Sequence, residues 1–261
     1  MPELPEVEIV KQSLEKNIEN KQIKDVIVNN PNLRFKLSKN FSLKIKFSKI
    51  QSVKRFSKYI LFYLNNKSVL VLHLGMSGTV HIVKNNRKNN FTNSSFYSSP
   101  LLPKKHNHVI IFFDKLKIIY NDPRRFGFFK IIENDEKLKI FFKNYGPEPF
   151  DRKFNLDYLK KNLKNKTKNI KNYLLDQNFV SGIGNIYANE ILFLCKINPF
   201  KQSGKLNKKD YKNIIFYSKK VLSHAIKNGG SSIQNFINTD GNKGYFQDNF
   251  KVYQRDKLKC L

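Results

Sequence analysis

The interval between apolar residues changes along the chain, and this change constrains the fold more than any other feature of the sequence. Residues 4–18 place apolar side chains on one helical face, whereas from Gln22 to Ile132 the interval becomes two, as in the alternation from Phe41 to Phe47. Helical spacing returns from Leu156 to Lys227. The pattern predicts an α+β protein with an N-terminal helix, a β-sandwich or barrel, and a second, helical domain.

Turn-rich segments set the boundaries of this division. Asn and Ser are frequent from Asn85 to Pro100, which predicts a surface loop between strands, and the pattern changes again near Gly146 to Pro149. Short β-like runs are predicted at Tyr59 to Leu64, Val69 to Leu74, Val109 to Phe113 and Ile118 to Tyr120. The predicted parts are a β domain (1–132), a linker (133–150), a helical domain (151–228), a loop (229–250) and a C-terminal segment (251–261).

The chain is strongly basic. Its 261 residues include 49 Lys and Arg against 20 Asp and Glu, a formal net charge of +29, which favours a polyanionic partner such as nucleic acid. AT-biased coding also produces an excess of Lys, so the charge by itself leaves the partner open. A hydrophobic content of 40% is enough for a core, and no run approaches the roughly 18 apolar residues of a membrane span. With only two cysteines, the chain is expected to fold in the reducing cytoplasm, without a membrane.

The opening sequence PELPEVE brings a proline and two carboxylates together. Once Met1 is removed, Pro2 has a free secondary amine beside Glu3 and Glu6. An α-amino group titrates near 7.7 to 8.0 and a lysine near 10.4, so at neutral pH this amine is free base roughly 300-fold more often. It is therefore a candidate nucleophile toward an aldehyde carbon. The alternative is an ordinary helix start, with proline and acidic residues in the first turn.

Four further segments contain residue types that stand out. RFSKYILF places Lys58 at the start of an apolar strand, and LHLGMSG contains Met76, which is usually a core residue. NDPRRFGFF keeps two arginines side by side, which favours phosphate or base-edge contacts at Arg124, with Phe126 as a candidate wedge in a base stack. A structural salt bridge is the alternative. VSGIGNIYANE puts two glycines before a helix, which is typical of an anion site near Asn185 or of a tight turn.

Together these segments resemble the bacterial formamidopyrimidine-DNA glycosylases, which remove oxidised purines such as 8-oxoguanine. The matching segments occur in family order across nearly the whole chain: PELPEVE, RFSKYILF, LHLGMSG, KHNHV, NDPRRFG, YGPEP, LLDQNFVSGIGNIYANE, GGSS with TDGNKGYF, and KVYQRD. The resemblance implies an N-terminal β-sandwich domain, a helix-two-turn-helix domain, and double-stranded DNA bound between them by a monomer.

The resemblance also implies the roles of four residues at a reaction centre. Pro2 attacks C1′ of the damaged nucleotide, Glu3 donates a proton, and Glu6 holds the N-terminal groups in place. Lys58 acts as an acid during β-elimination and meets a phosphate. The implied enzyme is a DNA glycosylase and AP lyase in one, and its chemistry requires no cofactor.

Five further residues match positions that contact DNA in the family, and a sixth, like Lys168, flanks such a position and could substitute there. The first three fill the gap left by the everted base, the next two contact phosphates, and the last flanks Thr167, which stands where the family has a phosphate-binding lysine. In this order they are Met76, Arg124, Phe126, His106, Asn185 and Lys166. The stretch from Gly229 to Gln247 matches the loop that closes over the lesion.

One departure from the family concerns zinc. The family normally ends in a four-cysteine zinc β-hairpin whose arginine supports δ-elimination, and Cys260 alone matches one of its ligands. A single cysteine does not build a structural zinc site. The resemblance therefore predicts a remnant of the hairpin over 251–261, an absent zinc site, weaker DNA binding and impaired δ-elimination.

Two alternatives remain open from the sequence. Endonuclease VIII enzymes of the same superfamily also begin with Pro and Glu and remove oxidised pyrimidines, although Leu4 and the Arg-Arg-Phe segment favour the purine-directed branch. The other alternative is a DNA-binding remnant without catalytic activity. The retained Pro2, Glu3 and Lys58 argue against a remnant, and the missing hairpin argues for one.

Overall fold

The computed structural model of the chain describes residues 1–84, 93–94, 104–231, 236–237 and 246–259, with 93–94 and 236–237 described by their backbone alone. The helices are α1 (Leu4–Ile18), α2 (Phe41–Ile45), α3 (Asp135–Phe141), α4 (Leu156–Leu163), α5 (Ile170–Leu175), α6 (Asn185–Cys195) and α7 (Lys208–Lys227). The strands are β1 (Asp25–Val28), β2 (Ile50–Phe56), β3 (Tyr59–Leu64), β4 (Val69–His73), β5 (Thr79–Lys84), β6 (Asn93–Ser94), β7 (Asn107–Phe112), β8 (Leu116–Asn121), β9 (Phe128–Ile132) and β10 (Phe236–Ile237). Single 3-10 turns lie at Lys104–His106, Ser203–Lys205 and Phe246–Asn249.

Two four-stranded antiparallel sheets form the N-terminal half. Their strand orders are β1-β7-β8-β5 and β2-β3-β4-β9, and β6 with β10 forms a separate two-stranded sheet. Residues of both large sheets share one hydrophobic core, so the sheets pack face to face as a sandwich. The α+β class predicted from the sequence is thus confirmed, with the sandwich realised instead of a barrel. The predicted loop from Asn85 to Pro100 lies outside the described residues except for β6.

Strand β3 explains why the apolar runs of this half are continuous. Its residues Ile60 and Phe62 face the sandwich core, whereas Leu61 packs on the opposite face of the sheet with Leu138 of α3. Both faces of this strand are therefore buried, and no polar position interrupts the pattern. The predicted run from Tyr59 to Leu64 is confirmed to the residue.

The prediction of a strand over Phe41 to Phe47 is wrong, because residues Phe41–Ile45 form α2. Phe41 and Ile45 are 3% and 0% exposed, while Leu43 is 76% exposed. An alternating run of five residues also places its first and last members four apart, which is the spacing of one helical turn. Phe47, with φ of 65° and 62% exposed, ends the segment outside the core. The burial of Phe41 and Ile45, at positions i and i+4, therefore selects the helical period over the strand period.

The second half is helical, as predicted from Leu156 to Lys227. Helices α4 to α7 share a core of their own, with α6 at its centre. Asparagine side chains accept a backbone N–H at the first turn of three of these helices, namely Asn155, Asn169 and Asn207. The abundance of Asn in this chain therefore also serves helix capping.

Helix α1 connects the two halves. Its residues Val7, Val10 and Leu14 are buried in the sandwich core, but at its first residue the Leu4 N–H donates to the Gly182 carbonyl at 3.0 Å. The chain start is therefore placed at the junction of the two domains. Within the described residues, none of the helices combines the length and the apolar content needed to cross a bilayer.

Candidate active site

Glu3 lies at the N-terminus of α6. Its side chain is buried, with 3% of the residue exposed, and its carboxylate accepts the Gly184 N–H at 2.6 Å and the Ile186 N–H at 2.9 Å. These N–H groups have no partner within the helix, and the positive end of the helix dipole favours an anion there. A Cβ on Gly184 would lie 2.4 Å from Glu3 Cδ, so a side chain at this position would displace the Glu3 carboxylate. The glycine-helix segment singled out in the sequence thus binds an anion, and the anion is Glu3.

Burial raises the pKa of Glu3 to about 7, although the Lys58 charge and the hydrogen bonds from Ile186 and Gly184 oppose the rise. The neighbouring Glu6 adds to it by charge repulsion. Near neutral pH, Glu3 therefore exchanges between a protonated and a charged form. This is the condition under which a carboxyl group serves as a general acid.

Glu6 connects α1 with two other elements. Its Oε2 accepts the Glu3 N–H at 2.9 Å, while its Oε1 accepts the Tyr187 hydroxyl at 2.5 Å and both the N–H and the hydroxyl of Ser231 at 2.8 Å. All four residues lie in the buried junction. Glu6 thus connects the chain start, α6 and the segment that follows α7.

Lys58 lies in the turn between β2 and β3 and is 5% exposed. Burial lowers the pKa of Lys58, and the charges of Glu3 and Glu6 limit the decrease. Lys58 in turn lowers the pKa of Glu3. Charge interactions therefore couple Lys58 to the two carboxylates.

The chain start completes this group. Burial lowers the pKa of the terminal amine on Met1. The charges of Glu3 and Glu6 oppose this decrease, whereas those of Lys58 and Arg124 add to it. Pro2 is half-buried at the same place. A terminal amine in these surroundings is more often in its nucleophilic free-base form than one in water.

Met76 and Phe126 project from two turns that pack against each other. They are 39% and 44% exposed, and the Arg124 guanidinium carbon lies 4.7 Å from the centre of the Phe126 ring. A Cβ on Gly75 would lie 2.4 Å from the nitrogen of Gly127, so the two backbones touch. The two exposed apolar side chains therefore belong to turns whose backbones are in contact.

The Asp122 side chain holds together the two turns that carry Met76 and Phe126. Its buried carboxylate accepts hydrogen bonds from the Ser77 hydroxyl, from the Tyr120 hydroxyl at 3.0 Å and from the Gly127 N–H at 2.9 Å. A buried carboxylate with this many donors determines the path of the backbone around it. The direction of Met76 and Phe126 depends on Asp122.

The three remaining residues predicted to contact DNA are His106, Asn185 and Lys166. His106 is half-buried and its carbonyl accepts the Asp122 N–H at 3.0 Å, and Asn185 is the exposed first residue of α6. Lys166 is exposed on the turn between α4 and α5, and among the described residues it does not contact the cluster around Glu3. The neighbouring Lys168 has its ammonium 3.7 Å from Asp176.

Sequence reasoning missed several residues that this site uses. Tyr187, Ser231 and Asp122 lie within the segments VSGIGNIYANE, GGSS and NDPRRFG, but no role was assigned to them. Their roles arise from contacts across long stretches of chain. His73 had a visible signal in LHLGMSG but no assigned role. Burial and the charges of Lys58 and Arg34 lower its pKa to about 4, so His73 is neutral beside the cluster.

The donors for a zinc site are not found together. Among the described ranges, no three His, Cys, Asp or Glu side chains are grouped in a way that would hold a metal ion. Cys195 is buried in the helical core, and Cys260 lies outside the described residues. With two cysteines in the sequence, the donor set does not fit a four-cysteine zinc site.

The last described segment is anchored without a metal. The Glu190 carboxylate accepts the N–H groups of Lys251, Val252 and Tyr253 at 2.8, 3.0 and 2.9 Å. Phe246 and Phe250 are buried in the helical core. A buried carboxylate on α6 thus holds the segment that precedes Cys260, a role that the sequence did not indicate.

Comparison with known proteins identifies the relatives of this chain. The model of the formamidopyrimidine-DNA glycosylase N-terminal domain matches residues 1–129, and that of the formamidopyrimidine-DNA glycosylase H2TH domain matches residues 145–237. The formamidopyrimidine-DNA glycosylase of Rickettsia bellii is 42% identical over 262 residues, which cover 100% of this chain and 91% of the relative. That of Wolbachia from Drosophila simulans is 39% identical, with the same coverage.

Solved structures agree with this result. A complex of a Lactococcus lactis Fpg mutant with Fapy-dG containing DNA is similar at a TM-score of 0.87 and 32% identity, covering 99% of this chain and 90% of that chain. A complex of the Lactococcus lactis Fpg with abasic-site DNA gives a TM-score of 0.86. Fold, domain pair and buried carboxylates together define an enzyme of base excision repair, a DNA glycosylase of the helix-two-turn-helix class. The chain belongs to the formamidopyrimidine-DNA glycosylase family.

Proposed function

We propose that this enzyme removes oxidised purines, such as 8-oxoguanine and formamidopyrimidines, from double-stranded DNA and cleaves the resulting abasic site through a Schiff base on Pro2. The observation that carries the proposal is the group formed by the half-buried chain start and the buried Glu3 and Lys58 at the junction of the two domains. It combines a nucleophile, a proton donor and an acid within one desolvated site.

The first step of the proposed reaction uses Glu3. The Pro2 nitrogen attacks C1′, the C1′–N bond breaks, and the departing base takes up the proton that the nitrogen loses. Protonated Glu3 then donates to the sugar ring oxygen as the C1′–O4′ bond breaks. The carboxylate left behind is stabilised by the N–H groups of Gly184 and Ile186, which already point at its oxygens. The N-terminus of α6 therefore favours the product of the proton transfer.

The second step uses the amine and Lys58. After removal of Met1, the Pro2 nitrogen is bonded to C1′ in place of the base, and opening of the sugar ring at the C1′–O4′ bond turns this N–C1′ bond into a cationic iminium. Abstraction of a C2′ proton then moves electrons toward the iminium and expels the 3′ phosphate in β-elimination. Lys58, held next to the chain start, is the proposed acid for this step.

The DNA contacts follow from the exposed residues around this group. Met76, Arg124 and Phe126 fill the space left by the everted nucleotide, as apolar wedges beside basic residues do in other DNA-bending proteins. His106, Asn185 and Lys166 contact phosphates. Two facts support double-stranded DNA as the substrate: the formal charge of +29, and the Lactococcus lactis complexes, which contain Fapy-dG and abasic-site DNA.

The proposal does not route any step through zinc, because the donor set does not fit the ion. We expect the 261-residue chain to give β-elimination products, because Pro2 and Lys58 provide for that step. The ratio of β- to δ-elimination products on a gel measures this directly. A cytoplasmic location and a monomeric state remain predictions.

Borohydride trapping of the 261-residue chain on an 8-oxoguanine·C duplex tests the proposal. We expect a covalent adduct that is lost in a Pro2→Gly variant and in a variant extended at the N-terminus, because both alter the amine. A thymine glycol duplex is the matched substrate control. An adduct with thymine glycol alone would favour the endonuclease VIII alternative, and a folded protein that binds DNA but gives no adduct would favour the inactive remnant.

A further inference from the structure

The turn that carries Lys58 has an unusual backbone. Ser57, the residue before Lys58, has a φ of 54° and is 1% exposed. Residues other than glycine rarely adopt this left-handed conformation, and a buried one persists only where its surroundings fix it. The direction in which the Lys58 side chain leaves the turn therefore depends on the groups that hold Ser57.

Glu148 is the first of these groups. It follows α3 in the segment that leads to the helical domain, and its Oε1 accepts the Ser57 N–H at 2.6 Å. The same carboxylate forms a two-point ion pair with Arg55, in which Nη2 lies 3.2 Å from Oε2. The Glu148 side chain is 17% exposed, so water screens this pair only weakly.

Arg55 holds the turn from the other side. Its Nη1 donates to the Ser57 carbonyl at 2.9 Å, and its Nε donates to Glu8 of α1 at 2.8 Å. The Arg55 side chain is 9% exposed. Because a guanidinium presents its donors in one rigid plane, a single side chain fixes Ser57, Glu148 and α1 relative to each other.

Gln177 extends the network to the opposite side of the site. Its Oε1 accepts the Gly182 N–H at 2.8 Å and lies 3.4 Å from the Ser57 hydroxyl oxygen. Gly182 accepts the Leu4 N–H, and Gly184 donates to Glu3. A continuous set of hydrogen bonds therefore links the Lys58 turn to the residues that hold Glu3.

We propose that Glu148 and Arg55 are positioning residues of this enzyme, which hold the Ser57 turn so that the Lys58 amine lies beside Glu3 and the chain start. This inference rests on the proposed function, because it assigns the two residues to the step in which Lys58 acts. Neither residue touches the reacting atoms. Without them the turn relaxes, and the Lys58 amine moves toward water, where its pKa returns toward the ordinary value for lysine.

The test compares Glu148→Gln with Glu133→Gln, whose carboxylate forms an exposed ion pair with Lys137. We measure cleavage of preformed abasic-site DNA under single-turnover conditions across a range of pH, binding of an uncleavable abasic analogue, and the melting temperature. In Glu148→Gln we expect cleavage near neutral pH to fall on the order of tenfold or more, with binding little changed. The alkaline limb of its pH profile moves to higher pH, because Lys58 stays protonated longer. Glu133→Gln behaves as the parent.

Arg55→Lys keeps the inference testable even where Glu148→Gln does not fold. It retains the charge but not the planar fork, so we expect the same shift of the alkaline limb, and a double variant with no further shift. Unshifted profiles in both variants, or a loss of cleavage that follows the melting temperature at every pH, would overturn the inference. A parent chain that cleaves no abasic DNA would overturn the proposed function as well.

Discussion

At the scale of single residues, Glu3 shows how one side chain serves two opposing needs. Burial favours its protonated form, while the N–H groups at the start of α6 favour its charged form. The balance brings the pKa of Glu3 to about 7, so that a small change of environment moves the proton. This is a property of the folded site, because an exposed Glu titrates near 4.3.

The first prediction follows from this balance. Glu3 loses its proton as the pH rises through about 7, so the single-turnover rate of Schiff-base formation should fall above this pH, by roughly tenfold for each further unit. The rate is measured from pH 5.5 to 9 on an 8-oxoguanine·C duplex. Glu3→Gln, which has no proton to donate, serves as the control and should show little Schiff-base formation at any pH. A parent rate that still rises at pH 9 would contradict the assignment of Glu3 as the donor.

Tyr187 carries a second prediction at this scale. Its hydroxyl donates to the buried Glu6 carboxylate at 2.5 Å. Tyr187→Phe removes a donor to a buried charge and should lower the free energy of unfolding by about 1 to 3 kcal/mol in urea denaturation. Tyr217→Phe, at a half-buried position on α7, is the matched control and should cost less than about 0.5 kcal/mol. Equal losses in the two variants would show that the bond to Glu6 contributes little.

At the scale of secondary-structure elements, helix starts determine the site. The N-terminus of α1 provides Glu3 and Glu6 in a reciprocal capping box, and the N-terminus of α6 receives the Glu3 carboxylate. The close approach of the two helix ends requires a residue without a side chain at Gly184. The site therefore forms only when the N-termini of α1 and α6 pack against each other.

Gly184→Ala tests whether the site depends on this contact between the N-termini of α1 and α6. The added Cβ would lie 2.4 Å from Glu3 Cδ, so the carboxylate must leave its N–H donors. We expect Schiff-base formation on an 8-oxoguanine·C duplex to fall on the order of 100-fold, with a smaller loss in cleavage of preformed abasic DNA, since the amine and Lys58 remain. Asn189→Ala, at a half-buried position of the same helix, should leave both rates near those of the parent. An unchanged rate of Schiff-base formation in Gly184→Ala would mean that Glu3 acts from another position.

At the scale of the whole molecule, the formal net charge of +29 favours binding to DNA. Each lysine that neutralises a phosphate releases a counterion, so affinity depends steeply on salt concentration. Two neighbouring lysines in the turn between α4 and α5 allow a matched comparison, because Lys168 forms an ion pair with Asp176 and Lys166 is exposed.

We expect Lys166→Ala to weaken DNA binding uniformly across sequences and to reduce the slope of log affinity against log salt by about 1. Lys168→Ala should change this slope less, since the charge of Lys168 already faces a carboxylate. Binding to a duplex with an uncleavable abasic analogue at several salt concentrations measures both slopes. A larger change in Lys168→Ala would assign the phosphate contact to Lys168.

Most of the element types could be predicted from the sequence, because the period of burial is a local property. The run from Tyr59 to Leu64 and the helical spacing after Leu156 were confirmed. The segment from Phe41 to Ile45 could not be resolved, since five alternating residues fit both periods and tertiary packing selects one of them. The site itself was predicted by resemblance to a family, whereas the residues alone left an ordinary helix start as an alternative for Pro2 and Glu3.

The sequence by itself determined the family, the α+β class and the candidate residues Pro2, Glu3 and Lys58, because their information lies in short segments. Only the tertiary structure decided which groups set their properties. The Tyr187 hydroxyl reaches Glu6 over 181 residues of sequence, and Glu148 reaches Ser57 over 91. No local pattern specifies such contacts, since they form only where two domains pack and exclude water. Burial at that junction is the physical reason why an ordinary carboxyl group and an ordinary lysine acquire shifted pKa values here.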